Sequence, residues 1–172
     1  MIALLRALAG IALLRKDPSV LPASIVLVVL TAITYAAASA VSSWLVIGDE
    51  HWLGRAVIDL VSTVALCWLL LAATRRGHRY LQTLSAVLGT AVLLSPLAIA
   101  LQWLIGFEGT AYLIKVLAWA ALLAVVIWSL LIVGHILRTA LEVGYLTSLA
   151  LALTWLVANE ALIHRVYPAV TG

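Results

Sequence analysis

Cysteine is almost missing from the chain: Cys67 stands alone, inside an apolar run. An internal disulfide and a cysteine-rich metal site are therefore excluded, and Cys67 reads as a small buried hydrophobe. Charge is nearly as scarce, at 10% of residues, where soluble domains carry about a quarter. No HExxH, no GxSxG, no phosphate-cradling glycine loop and no carboxylate pair spaced for acid–base work occurs. His51, His78, His135 and His164 fall at the edges of apolar segments, and catalytic zinc needs three protein ligands brought together. These absences predict a chain that is not an enzyme and that holds no cofactor or metal.

What is abundant is apolar surface. Of 172 residues, 66% are hydrophobic, with a mean hydropathy of +1.21. A soluble fold of this size has no interior large enough to hide that much. The apolar residues fall into five runs, at about 21–47, 56–74, 81–105, 111–137 and 143–163, each of a length that crosses a hydrocarbon core of about 30 Å as a helix. The predicted fold class is all-α, a polytopic membrane bundle of five transmembrane helices over 21–166. A short interfacial helix over 1–16 precedes it and a tail over 167–172 follows. The run after Lys115 continues to Gly134 without charge or proline, and by its length it is expected to organise the bundle.

The first apolar stretch, Met1 to Leu14, spans only about 21 Å as a helix, too little to cross. Asp17-Pro18-Ser19 then supplies turn chemistry, because the residue before proline is pushed out of the helical region. Ala38-Ser39-Ala40 imitates a signal-peptidase site, but the apolar run continues past it through Trp44 to Ile47, so it is expected to stay uncut. Ser95-Pro96 is expected to kink the third span. Trp68-Leu69-Leu70-Leu71 and Trp128-Ser129-Leu130-Leu131 echo one another and suggest parallel repeats.

Seven of the ten basic residues, Arg6, Arg15, Lys16, Arg75, Arg76, Arg79 and Arg138, fall on one side of the predicted bundle, and Arg55, Lys115 and Arg165 on the other. By the positive-inside rule the N-terminus is cytoplasmic and, after five crossings of an inner (cytoplasmic) membrane, the C-terminus is outside. The same rule accounts for the net charge of +3 and pI of about 9.4 without a nucleic-acid partner, since no basic face exists.

Two polar groupings are candidate sites. Asp59, Gln102, Lys115 and Glu160 lie about one turn inside the outer boundary. An ionised side chain at the bilayer centre costs roughly 2.5–3.5 kcal/mol, so such groups pair or face a cavity. Lys115 and Glu160 are placed at similar depth for an ion pair, with Asp59 or Gln102 as a further partner. A structural account competes: Asp59 sits in a first helical turn, and Lys115 can snorkel. On the cytoplasmic side Arg75, Arg76, His78, Arg79, His135, Arg138 and Glu142 form a collar. The helical spacing of His135, Arg138 and Glu142 predicts a shared face, and the basic residues suit a contact surface or anionic lipid headgroups.

The five-span layout, the basic turn Arg76-Gly77-His78-Arg79-Tyr80-Leu81-Gln82-Thr83-Leu84 and the third-span pattern from Gly89-Thr90 to Ser95-Pro96 resemble the Yip-type family of small five-span integral membrane proteins, in particular its bacterial members. The resemblance implies the five-helix layout. The Asp-Leu-Tyr-Gly-Pro signature of eukaryotic members is missing, so no site residue carries over. The expected role is a non-catalytic accessory or assembly subunit, whose partners are membrane lipid and another membrane protein or a second copy. The alternative is a small transporter or channel working through Asp59, Lys115 and Glu160.

Overall fold

The computed structural model describes residues 2–47 and 51–167. The acidic loop at 48–50 and the tail from 168 onward lie outside the described residues. The elements are helices throughout: α1 (Ile2–Ala12), α2 (Ile25–Ile47), α3 (Trp52–Ala73), α4 (Tyr80–Gly106), α5 (Tyr112–Leu141) and α6 (Tyr145–Val166), with 3-10 turns at Pro18–Val20 and Gly77–Arg79. Helices α2 to α6 are each long and apolar enough to cross a membrane, and the chain is a multi-pass membrane protein. Leu21 to Ser24 are not helical as expected, because Pro22 breaks the segment and Gln82 holds it by donating from Nε2 to the Leu21 carbonyl at 3.0 Å. Helix α3 begins at Trp52, four residues before the predicted start, so Trp52 and Arg55 belong to the helix and not to the loop.

The five long helices close a ring in the order α2, α3, α6, α5, α4 and back to α2. Helix α4, not α5, is the hub: it packs against α1, α2, α3 and α5. In α4 39% of the most apolar window is buried, and in α5 only 11%. The reason is chemical. Every residue from Thr83 to Thr90 is buried, and small side chains (Thr83, Ser85, Ala86, Gly89, Thr90) let neighbouring helices approach from all sides. A Cβ at Gly89 would meet Leu8 at 2.7 Å, so α1 beds on α4 roughly 13 Å along from Tyr80. There Leu8 and Ile11 are buried, and Trp128 on α5 donates its indole N–H to the Ala12 carbonyl at 3.1 Å.

Pro96 lies inside α4 without ending it. Proline has no N–H to offer the Val92 carbonyl one turn back. Ser95 supplies the missing donor, from Oγ to Val92 O at 2.8 Å. Three helices instead end on a non-glycine residue with positive φ: Leu14 (59°), Arg75 (57°) and Glu142 (51°). After α1 and α3 the next amides turn back to close Schellman motifs, Arg15 N to Gly10 O at 2.9 Å and Arg76 N to Leu71 O at 2.8 Å.

Candidate functional site

Two ends of the ring can be told apart. The basic end carries the α3–α4 and α5–α6 turns, with Arg75, Arg76, Arg79 and Arg138; the far end carries the α2–α3 and α4–α5 turns. Asp59 sits on α3 about two turns in from the far end. Its Oδ2 accepts from the Tyr35 hydroxyl at 2.9 Å and from Ser39 Oγ at 2.7 Å, both on one face of α2 at i, i+4 spacing. Its Oδ1 accepts from Asn159 Nδ2 of α6 at 2.7 Å. Ser62, one turn after Asp59, touches the Asn159 side-chain oxygen Oδ1, and its Oγ lies 3.0 Å from the Asp59 main-chain carbonyl. One carboxylate thus holds α2, α3 and α6 together through neutral donors. Nearer the far end, Ser42 donates to Gln102 Oε1 at 2.6 Å and ties α2 to α4.

Tyr35, Ser39, Ser42, Asp59 and Gln102 line a cavity of about 580 Å³ to which all five long helices contribute, together with Ser95, Ser129 and Glu160. A narrower chamber of about 150 Å³ continues it deeper into the ring, between Tyr35, Thr63, Thr90, Ser129, Trp155 and Asn159. Tyr35, Ala91, Leu94 and Ser129 border both spaces. Arg55 is buried at the edge of the larger one, its guanidinium 5.6 Å from the centre of the Tyr167 ring.

The structure therefore brings Asp59, Gln102 and Glu160 to one cavity but leaves Lys115 out of its lining. Among the described residues no ion pair joins Lys115 to Glu160; Glu160 instead faces His164 at 4.0 Å, one turn along α6. Tyr35, Ser39, Ser62 and Asn159 are the site residues that sequence reasoning missed. The signal was present in the i, i+4 pair Tyr35 and Ser39 and the i, i+3 pair Asp59 and Ser62. Small hydroxyl residues, however, read first as helix-packing positions, and Glu160 drew notice away from the neighbouring Asn159.

At the basic end His135, Arg138 and Glu142 line one cavity, but not as a single helical face. Glu142 lies beyond the last turn of α5 in the left-handed region, which swings it off that face and across to the other hairpin. Arg76 Nη2 reaches Glu142 Oε2 at 2.7 Å and Arg79 Nη2 reaches Oε1 at 2.8 Å. The Arg76 hydrogen bond, then the charges of Arg76 and Arg79, hold the Glu142 carboxyl below its usual 4.5. The same bond raises the Arg76 guanidinium. Arg79 also donates from Nη1 to the Thr139 carbonyl at 2.9 Å. His135 turns to the N-terminal segment, with Nε2 3.1 Å from the Lys16 carbonyl and 3.8 Å from Asp17 Oδ1. A second cavity, of about 570 Å³, lies here among Asp17, Arg79, Gln82, Thr83, His135 and Arg138. Arg75 and His78 are exposed and lie outside it.

Comparison with protein-family models, with curated proteins and with solved structures finds no match. The chemistry of the site has to be read from its own geometry. Among the described residues no group of three or more His, Cys, Asp or Glu side chains is placed to hold a metal ion. The arrangement offers a recess with hydroxyls and charges of both signs, Asp59 and Glu160 beside Arg55 and His164, inside the span of five apolar helices. Such a recess can hold a small polar group through hydrogen bonds and its charged side chains.

Proposed function

We propose that this is an inner-membrane protein, N-terminus cytoplasmic and C-terminus outside, that takes a small polar solute into the Asp59 cavity and passes it across the bilayer without catalysis. One observation carries the reading: a carboxylate within a membrane-crossing helix, bonded to hydroxyl and amide donors of two other helices, stands on the wall of a cavity built by all five. Ionisable groups inside membrane spans pair, or they mark solute pathways. The donors that reach Asp59 from α2 and α6, Tyr35, Ser39 and Asn159, are neutral. Asp59 and Glu160 share this wall with Arg55 and His164, and a cation is the solute that the Asp59 carboxylate itself would hold. Inner-membrane placement and orientation follow the excess of Arg and Lys at the basic end. The Yip-type resemblance enters only as the five-span layout.

The test is a solute screen on protein in lipid nanodiscs, with sodium, ammonium, methylammonium, glycerol and acetate as probes and thermal stability as readout. A bound solute raises stability by mass action. The expected result is stabilisation by a cation that Asp59→Asn abolishes and Glu142→Gln leaves intact. Equal response of wild type and Asp59→Asn to every probe would sink the reading.

A second reading, an accessory subunit, is favoured by α5. From Tyr112 to Trp128 only Ala118 is buried, and Trp119, Leu123 and Ile127 are exposed. This length of apolar helix offers a surface for a partner's membrane helix, for a second copy or for lipid. Gentle extraction followed by native mass spectrometry decides it: a stoichiometric second protein supports the subunit role, and a bare monomer removes it.

A further inference from the structure

The two polar spaces at opposite ends of the ring approach each other on one line. On α4, Val87 borders the inner chamber of the Asp59 cavity and Thr83 borders the basic-end cavity. They are four residues apart on one face, a rise of about 6 Å. On α5, Ile132 borders the chamber while His135 and Thr139 border the basic-end cavity, again on one face. Ile136, fully buried, falls one turn from Ile132 and one turn from Ala140, which lines the basic-end space. What separates the spaces on this face is a single turn of each helix: Thr83 and Val87 on α4, Ile132 and Ile136 on α5.

We propose that the basic-end cavity is the second mouth of the path that begins at Asp59, and that the layer of Val87, Ile132 and Ile136 is its gate. This rests on the reading of the Asp59 cavity as a solute chamber. The chamber, of about 150 Å³, has room for several waters. The path therefore suits a small polar solute. Thr83 and Thr90 flank the apolar layer with hydroxyls that bond to their own helix, Thr83 Oγ1 to Arg79 O at 2.9 Å and Thr90 Oγ1 to Ala86 O at 2.7 Å. Their oxygens retain acceptor capacity towards a passing solute. At the basic mouth, Asp17 and Glu142 face Arg79, Arg138 and His135, so the exit is of mixed sign and does not trap a cation.

Thiol labelling tests this directly, because Cys67→Ala alone removes every cysteine. In that background Ser42→Cys, Thr83→Cys, Val87→Cys and Leu88→Cys are placed in sealed membrane vesicles of either orientation and exposed to a membrane-impermeant trimethylammonium methanethiosulfonate. Leu88 is buried and lines neither space, so it sets the baseline. The expected result is that Val87→Cys reacts only from the far-end side and Thr83→Cys only from the basic side. Each reacts at least about tenfold faster than Leu88→Cys, since the reactive species is the accessible thiolate. Adding Ile136→Ala makes Val87→Cys reactive from both sides. Thr83→Cys and Val87→Cys at the Leu88→Cys rate, with Ser42→Cys still labelled, would overturn the gate and leave the solute cavity standing. Failure of Ser42→Cys as well would remove both. The Thr83→Cys and Val87→Cys pair decides the matter even where Ile136→Ala fails to fold.

Discussion

The two halves of this bundle are built on opposite rules. Towards the basic end, eight consecutive residues of α4 are buried, the last turns of α5 supply Ile132, Ile136, Leu137 and Leu141, and Leu71 and Cys67 of α3 are inaccessible. Helix α1 and the Pro18–Val20 turn fill the remaining space. Towards the far end the helices separate around a cavity, and the first half of α5 is exposed almost throughout. Lipid tails are as apolar as leucine, so tight packing in a membrane comes from close fit at small residues and not from hydrophobicity. The packed half has its glycine and threonine at the contacts; the open half replaces close fit with hydrogen bonds between distant side chains.

The largest expected effect comes from breaking the close fit. Gly89→Leu places a branched side chain where even a Cβ meets Leu8 at 2.7 Å. Inserting methylenes into a filled core costs about 1–3 kcal/mol, and α1 is the element free to move. Denaturant unfolding in micelles should fall by that amount, and proteolysis at Arg6 or Arg15 should quicken. Unchanged protection of α1 would mean that its seat on α4 is not what holds it.

The open half should respond less, and in a way that depends on partners. Asp59→Ala removes three interhelical acceptor contacts. Measured bonds of this kind between membrane helices average about 0.6 kcal/mol each, so the loss should be roughly 2 kcal/mol. A double-mutant cycle of Asp59→Asn with Ser39→Ala sharpens the point: a coupling of about 0.6 kcal/mol is expected. A coupling near zero would mean that α2 and α3 stay together without Asp59.

The same contrast explains what was legible in the sequence. Helix number, type and approximate bounds follow from apolar runs, because a bilayer forces each run into a helix whatever it packs against. Hub and periphery do not follow. The stretch 116–134, the most conspicuous by length, faces outward, since apolarity measures contact with lipid. Helix α4, with its Thr, Ser and Gly, is the hub. Asp59 stood out because a carboxylate in an apolar helix has few explanations, and Gln102 and Glu160 come to the same cavity. Tyr35, Ser39 and Asn159 did not stand out, because their role depends on which faces of α2, α3 and α6 meet. Lys115 lies about one turn into α5, but position along a helix says nothing about rotation around its axis. Glu142 was lost through one dihedral angle, which no spacing rule carries.

Backbone strain at the basic end gives a smaller test. Arg75 holds φ of 57° with an exposed side chain. A non-glycine residue there costs about 1–2 kcal/mol, against about 0.5–1 kcal/mol for the greater freedom that glycine loses on folding. Arg75→Gly and Arg75→Ala remove the same charge. The glycine variant should therefore be the more stable by about 0.5–1 kcal/mol. Equal stability would show that the α3–α4 turn relaxes out of the left-handed region when unloaded.

The smallest effect concerns the ion pairs that close the packed half. Glu142 is held below 4.5 by the Arg76 hydrogen bond and then by the charges of Arg76 and Arg79. In the unfolded chain the carboxyl titrates at its ordinary value, so the folded protein binds fewer protons across the interval below 4.5. Its contribution to stability is complete above 4.5, declines as pH falls through the folded value and is gone beneath it. The difference in melting temperature between wild type and Glu142→Gln should therefore be constant near neutrality and shrink only below pH 4.5. Because the pair is exposed, added salt should reduce the difference at pH 7. A difference that persists in acid would assign Glu142 a role through its position after α5 and not through its charge. The closure of the basic end would then rest on α4 and α1 alone.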